Sequence, residues 1–226
     1  MVNVVGKQGL ARENVFLFYP NVIGYVRIVA AVVSIYFMPT FPLLTITCYL
    51  FSRFLDAIDG NVARFFNQST RLGAMLDLLT DCCGLLGIIM GLMVIYPDQA
   101  FLLQMSAIID IAGHWMYMST SHICGKTSHK EVQDIDNPVL KLYYTSRAFL
   151  CAMVVGNEIF YSCLYLLHFY PEILLWKCLA WLSFPVALGK TLITICHMLT
   201  AASKLANLDV KERQQQRLDK EDEKSA

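Results

Sequence analysis

Four aspartates, Asp56, Asp59, Asp77 and Asp81, lie in the stretch DAIDGNVARFFNQSTRLGAMLDLLTD. Both flanks are strongly apolar, LLTITCYLFSRFL before and CCGLLGIIMGLMVIY after. A carboxylate at membrane depth costs roughly 2.5 kcal/mol or more on insertion scales, so four together require a function. On a helix, Asp56 and Asp59 stand at i and i+3, Asp77 and Asp81 at i and i+4, and each pair shares a face. Residues 67–71 are polar and read as a turn. Two antiparallel helices joined there bring four carboxylates to one place. Like charges so close repel, and cations must neutralise them. Oxygen-only ligands suit Mg²⁺ or Mn²⁺. Two such ions would balance four carboxylates and leave room for a phosphate ligand. Polar glue alone would be supplied at lower cost by Ser, Thr or Asn.

Neighbouring residues fit that chemistry. Gly60 permits close approach to the backbone, and Ala63 keeps the same face open. Arg64 is a cation suited to phosphate. Gly73, one turn before Asp77, permits tight helix contact.

The elements that must position these residues are membrane helices. The chain has 226 residues, 56% hydrophobic and only 16% charged, well below the roughly 25% charged of soluble domains. Mean hydropathy is +0.49. Residues 204–226 hold twelve of the thirty-six charged side chains, so the body is poorer still in charge. The fold class expected is an all-α integral membrane protein with six transmembrane helices and a cytosol-facing polar cavity. The segments run about Val22–Met38, Leu43–Phe66, Leu72–Tyr96, Ala100–Ser121, a fifth from Ser146-Arg147 to His168, and Ile173–Leu199, interrupted by Pro185. Residues 1–203 form the membrane domain, and 204–226 a charged tail, helical before it frays. Residues 1–15 show no cleavable signal-peptide pattern. Zero formal net charge points away from nucleic acid.

Other polar residues have competing readings. Arg27, about one turn into the first segment, either snorkels to the interface or faces the acidic site together with Asn21. Gly84, Gly87 and Gly91 form a packing seam. Asp110 and His114, at i and i+4, bond each other inside the bundle. Arg147, beside Thr145 and Ser146 at a helix mouth, could anchor a polyol or a phosphate. The eight cysteines are buried small hydrophobes, and His122, Cys124 and His129 fit no standard zinc spacing.

Six segments place both termini, the 67–71 turn and the loop 122–143 on one side. Those regions carry Lys7, Arg12, Arg64, Arg71, Lys126, Lys130 and Lys141, whereas the turns PTFP, YPDQ and YPE carry no Lys or Arg. The positive-inside rule puts the termini and the acidic site in the cytosol.

Written out, the acidic stretch reads D-x2-D-G-x2-A-R-x8-G-x3-D-x3-D. It resembles the signature of the CDP-alcohol phosphatidyltransferase family at every fixed position. FLFYPNVIGYVRIV, RLGAMLDLLTD, SHKEVQDIDNPVLKLYYTSR, GNEIFYSCLYLLHF and ITICHMLTAAS further resemble the family's small branch of eukaryotic phosphatidylinositol synthases, across about residues 15–203. The resemblance implies CDP-diacylglycerol as donor, myo-inositol as acceptor, and phosphatidylinositol and CMP as products. It implies two metal ions (Mg²⁺ or Mn²⁺) on Asp56, Asp59, Asp77 and Asp81, with Asp56 and Asp77 bridging. It makes Asp81 the general base and Gly60, Arg64 and Thr70 contacts for the CDP-lipid. Arg147, Ser146 and Arg27 are the acceptor contacts it suggests. An endoplasmic reticulum membrane and a homodimer are also compatible with it.

A physical mechanism can be argued beside the resemblance. Metal ions and Arg64 hold an anionic diphosphate, and a carboxylate accepts the proton of the attacking alcohol. No Ser, His or Cys nucleophile is placed for a covalent intermediate, so direct in-line displacement is expected. One alternative is the same donor with glycerol 3-phosphate or serine as acceptor. A cation transporter is a remote one, because it predicts repeats and acids spread across the membrane depth.

Overall fold

The computed structural model describes residues 14–123 and 146–225. They form six long helices and, among the described residues, no strand: α1 (Tyr19–Phe37), α2 (Pro42–Phe65), α3 (Arg71–Ile95), α4 (Ala100–Ile123), α5 (Arg147–Phe169) and α6 (Leu174–Ser225). Short 3-10 turns, Val15–Leu17 and Pro97–Gln99, precede α1 and α4. Of the basic loop residues, Lys126, Lys130 and Lys141 lie outside the described set, as do Cys124, His129 and Thr145.

Four spans are long and apolar enough to cross a membrane: Tyr19–Phe37, Arg71–Ile95, Ala148–Phe169 and Leu174–Glu223. α2 and α4 have 24 residues each, enough for a bilayer core. Their hydropathy is lowered by the side chains that carry chemistry: Arg53, Asp56, Asp59 and Arg64 on α2, and Gln104, Asp110 and His114 on α4. The sorting of side chains agrees with a multi-pass membrane protein. The buried face of α1 is Pro20, Asn21, Gly24, Arg27, Ala30, Ala31 and Ser34, small or polar at helical spacing. Its outward face carries Val22, Val26, Val29, Val32 and Ile35, all exposed. That is the arrangement of a helix with lipid outside and close packing inside.

The chain divides into two compact units, Met1–Gly84 and Leu85–Ala226. In the first, α1 packs on α2 through polar groups rather than large apolar ones. Ser34 Oγ donates to the Thr45 carbonyl at 2.9 Å, and Thr45 Oγ1 donates to the Ser34 carbonyl at 3.3 Å. Ser52 Oγ donates to the Arg27 carbonyl at 3.1 Å. Small residues let the backbones approach, and each hydroxyl meets an acceptor that lipid could not supply.

α2 stops because the chain turns left-handed at Asn67, φ 54°. The Gln68 amide bonds to the Ala63 carbonyl at 2.8 Å, and the Asn67 amide to the Arg64 carbonyl at 3.3 Å. This pair of bonds is a Schellman closure, and Asn is one of the few residues that takes the left-handed position readily. Thr70 then caps α3, its Oγ1 accepting from the Gly73 amide at 3.0 Å. The polar turn read from the sequence is therefore one C-cap followed directly by one N-cap.

In the second unit α6 packs against both α4 and α5. A Cβ on Gly113 would meet Thr194 Cγ2 at 2.2 Å, and one on Gly156 would meet Val186 Cγ1 at 2.5 Å. These glycines mark the close contacts there. In the expected seam, a Cβ on Gly84 would meet Tyr49 at 3.8 Å, an ordinary contact that does not demand glycine.

One expectation is corrected and another gains a partner. α6 does not end near Leu199 or break at Pro185; it runs 52 residues, through the proline and the charged tail. Membrane helices tolerate proline where neighbours re-satisfy the backbone. The expected bond between Asp110 and His114 is present, His114 Nδ1 lying 2.7 Å from the Asp110 carbonyl oxygen and 3.6 Å from its carboxylate, and Asp110 has a further partner in Lys190 at 2.8 Å. The ammonium, two helices further along the chain, makes a shorter contact with the carboxylate than the ring one turn away. Removing one partner of such a pair leaves an uncompensated charge, at a cost of about 3 kcal/mol or more. Lys190→Met is expected to lower the thermal unfolding midpoint in detergent, and Asp110→Asn in the same chain to restore most of the loss.

Candidate active site

The first unit gathers all four acids around one guanidinium. Arg27 projects from the middle of α1 with no exposed surface, 0%. Its Nη2 lies 2.7 Å from Asp56 Oδ1 and 2.5 Å from Asp81 Oδ1. Its Nη1 lies 2.6 Å from Asp77 Oδ1 and also bonds Asp59 Oδ2. Of the two sequence readings, snorkelling is excluded, and the guanidinium faces the acids. Helix spacing accounts for the convergence: Asp56 and Asp59 share one face near the end of α2, Asp77 and Asp81 one face near the start of α3. The capped turn between these helices brings the two faces together.

Arg53 was not singled out in the sequence. Its Nη1 donates to Asp81 Oδ1 at 2.6 Å and its Nη2 to the Asp81 carbonyl at 3.1 Å. Its guanidinium lies 5.4 Å from the centre of the buried Tyr49 ring. The available signal was a third ionisable residue, one turn before Asp56, in an otherwise apolar run.

Beside the acids lies a cavity of about 190 Å³, lined by residues that include Asp59, Gly60, Arg64, Thr70, Gly73 and Asp77. The three residues expected to contact a CDP-lipid therefore share one wall with two of the acids. The exposed Arg64 is steadied by a 2.8 Å bond from its Nη2 to Asn61 Oδ1. A Cβ on Gly60 would come no closer than 3.6 Å to the Arg64 guanidinium, so Gly60 leaves room at the wall. Thr70 has a second task as the α3 cap. The first turn of α3 thus opens on the cavity near Arg64, where amide groups and guanidinium both favour an anion.

Asp56, Asp59 and Asp77 each present a carboxylate oxygen within 4.8 Å of the others. Hard oxygen donors at that spacing fit a divalent cation such as Mg²⁺ or Mn²⁺. The side chain of Asp77 is 46% exposed, so the cluster is reachable from the cavity side. Of the suggested acceptor residues, Ser146 caps α5, accepting from the Phe149 amide at 3.3 Å. Arg147 is the first residue of α5, and its side chain lies outside the described set.

In this bundle of apolar helices an acidic helix pair lies beside a cavity that carries Arg64 in its lining. The CDP-alcohol phosphatidyltransferase family model matches residues 17–123, and the chain belongs to that family. Human CDP-diacylglycerol–inositol 3-phosphatidyltransferase is 46% identical over 206 residues, covering 89% of this chain and 97% of the relative. The Drosophila melanogaster protein of the same name is 48% identical over 210 residues, 91% of this chain and 92% of the relative. The Saccharomyces cerevisiae protein of that name is 38% identical over 199 residues, 88% and 90%. No solved structure matches the chain.

Gly73 gives a direct test of this geometry. A Cβ there would lie 2.9 Å from Asn21 Oδ1 and 3.2 Å from Thr70 Oγ1. Asn21 is fully buried and its Nδ2 donates to the Val15 carbonyl at 2.6 Å, so it cannot yield cheaply. Overpacking of this kind costs about 1–3 kcal/mol. Gly73→Ala is expected to weaken CDP-diacylglycerol binding several-fold and lower the melting temperature, read by ligand titration and thermal unfolding in micelles.

Proposed function

We propose that the chain transfers the phosphatidyl group from CDP-diacylglycerol to myo-inositol, releasing phosphatidylinositol and CMP. The observation that carries this is the shared wall of the cavity: Asp59 and Asp77 on one side, Arg64 and the capped start of α3 on the other. The relatives bearing that activity in their names match across nearly the whole chain.

Asp56, Asp59 and Asp77, with Asp81, would hold the divalent ions; bound there, such ions neutralise the carboxylates and the diphosphate of the donor. Arg64, reaching from the end of α2, binds the diphosphate and offsets negative charge growing on departing CMP. Thr70 and the first-turn amides of α3 orient the same group. Gly60 leaves the wall low enough for the nucleotide to lie against α2. Asp81, one turn beyond Asp77, accepts the proton of the inositol hydroxyl as it attacks phosphorus. Arg53 orients Asp81 through both its carboxylate and its carbonyl. The bond to diacylglycerol phosphate forms as the bond to CMP breaks, in line and without a covalent enzyme intermediate. Arg147 is proposed as an acceptor contact, supported by Ser146, and Arg27 as a residue of the acidic site. We place the reaction in the endoplasmic reticulum membrane, with the acidic site and both termini in the cytosol.

The test is CMP release by the purified chain with CDP-diacylglycerol and Mn²⁺ or Mg²⁺, comparing myo-inositol, serine and glycerol 3-phosphate. Release is expected only with inositol and metal; release with another acceptor alone would overturn the acceptor assignment. Asp81→Asn is expected to abolish turnover while CDP-diacylglycerol still binds, and retained turnover would refute the base. Arg147→Gln is expected to raise KM for inositol and leave that for the lipid donor within about twofold, from loss of one charge-assisted bond.

A further inference from the structure

Arg27 occupies the point where the four carboxylates converge. One guanidinium meets Asp56, Asp59, Asp77 and Asp81 at once, and none of the residue is exposed. Burying an arginine costs several kcal/mol, and only firm pairing with the acids can offset that. The seat is still imperfect, because Arg27 Nε is buried with no hydrogen-bond partner. The oxygens that Arg27 holds belong to the same carboxylates that suit a divalent ion. A divalent ion binds carboxylate oxygen at about 2.0–2.1 Å for Mg²⁺, and a guanidinium packed against the same oxygens repels it.

We propose that Arg27 is the built-in counterion of the metal-free site, and that divalent ions bind in competition with it. The proposal rests on the acidic cluster being the divalent-ion site. Before an ion arrives, the guanidinium holds α1, α2 and α3 in register around charges that would otherwise push them apart. The same contact lowers the affinity of the site below what four carboxylates alone would give. Metal loading is then set by an exchange between two cations rather than by simple filling.

The test uses the full chain in detergent micelles, stripped with EDTA. Mn²⁺ affinity is read from the electron paramagnetic resonance signal of unbound Mn²⁺, alongside thermal unfolding with and without Mn²⁺. Arg27→Gln is expected to bind Mn²⁺ about tenfold tighter or more, the effect of removing a close like charge. In EDTA it should melt below the wild type, with the gap narrowing in saturating Mn²⁺. Arg27→Lys retains a buried cation but has one nitrogen to share among four acids. Its Mn²⁺ affinity should fall between the other two, which keeps the test readable if the Gln variant does not fold. Arg64→Gln removes the same charge from the cavity rim, where Arg64 bonds Asn61, and should shift affinity by less than about threefold, since exposed charges are screened. Unchanged or weaker Mn²⁺ binding in the Arg27 variants, or an equal gain in Arg64→Gln, overturns the competition and leaves the metal site standing. Wild-type chain that binds no Mn²⁺, or binds it equally well after Asp56→Asn, overturns the metal assignment and the proposal together.

Discussion

Four carboxylates in an apolar bundle must be neutralised, and the first unit is built around that requirement. Arg27 supplies one positive charge from α1, and Arg53 a second from α2. Two guanidiniums leave the cluster with excess negative charge, which is the condition for attracting a divalent cation. The packing of α1 on α2 follows from it. Ser34 and Thr45 donate to each other's carbonyls and Ser52 to that of Arg27 at close range, so that Arg27 reaches the acids from a buried position. A bulkier interface would hold the helices apart and leave the guanidinium stranded.

The turn between α2 and α3 converts helix periodicity into a site. Asn67 accepts the left-handed conformation, Thr70 restarts the helix, and Gly73 permits the close passage of Asn21. The backbone of Tyr19 donates to Gln68 Oε1 at 2.9 Å, tying the start of α1 to the same turn. Cavity-lining residues and capping residues are partly the same residues. Thr70 lines the cavity while holding the first turn of α3, so the cavity wall and the fold share this residue.

The second unit shows the same economy with different chemistry. Two of its ionisable residues, Asp110 on α4 and Lys190 on α6, pair across the bundle at 2.8 Å. Gly113 and Gly156 let α6 approach α4 and α5 closely. There is no comparable accumulation of like charge in that pair, and its ionic groups serve packing.

Much of this protein was legible from order along the chain. The ends of α1 to α5 and the start of α6 fell within a few residues of those expected, because apolar runs and turn residues such as those at Pro39, Pro97 and Pro171 are local signals. The spacing of the four aspartates pointed to the acidic cluster, since i, i+3 and i, i+4 positions must share a face. Only the tertiary structure decided what partners those charges. Arg27 is thirty-two residues from Asp59 and fifty-four from Asp81, and no local pattern states that one guanidinium serves all four acids. Lys190, eighty residues from Asp110, is invisible to a reading that searches one helical turn. The unbroken course of α6 through Pro185 into the charged tail was likewise left to the tertiary structure, although the tail itself was expected to be helical. Periodicity is a property of one helix. Charge pairing is a property of helices in contact, and a sequence orders residues without saying which helices meet.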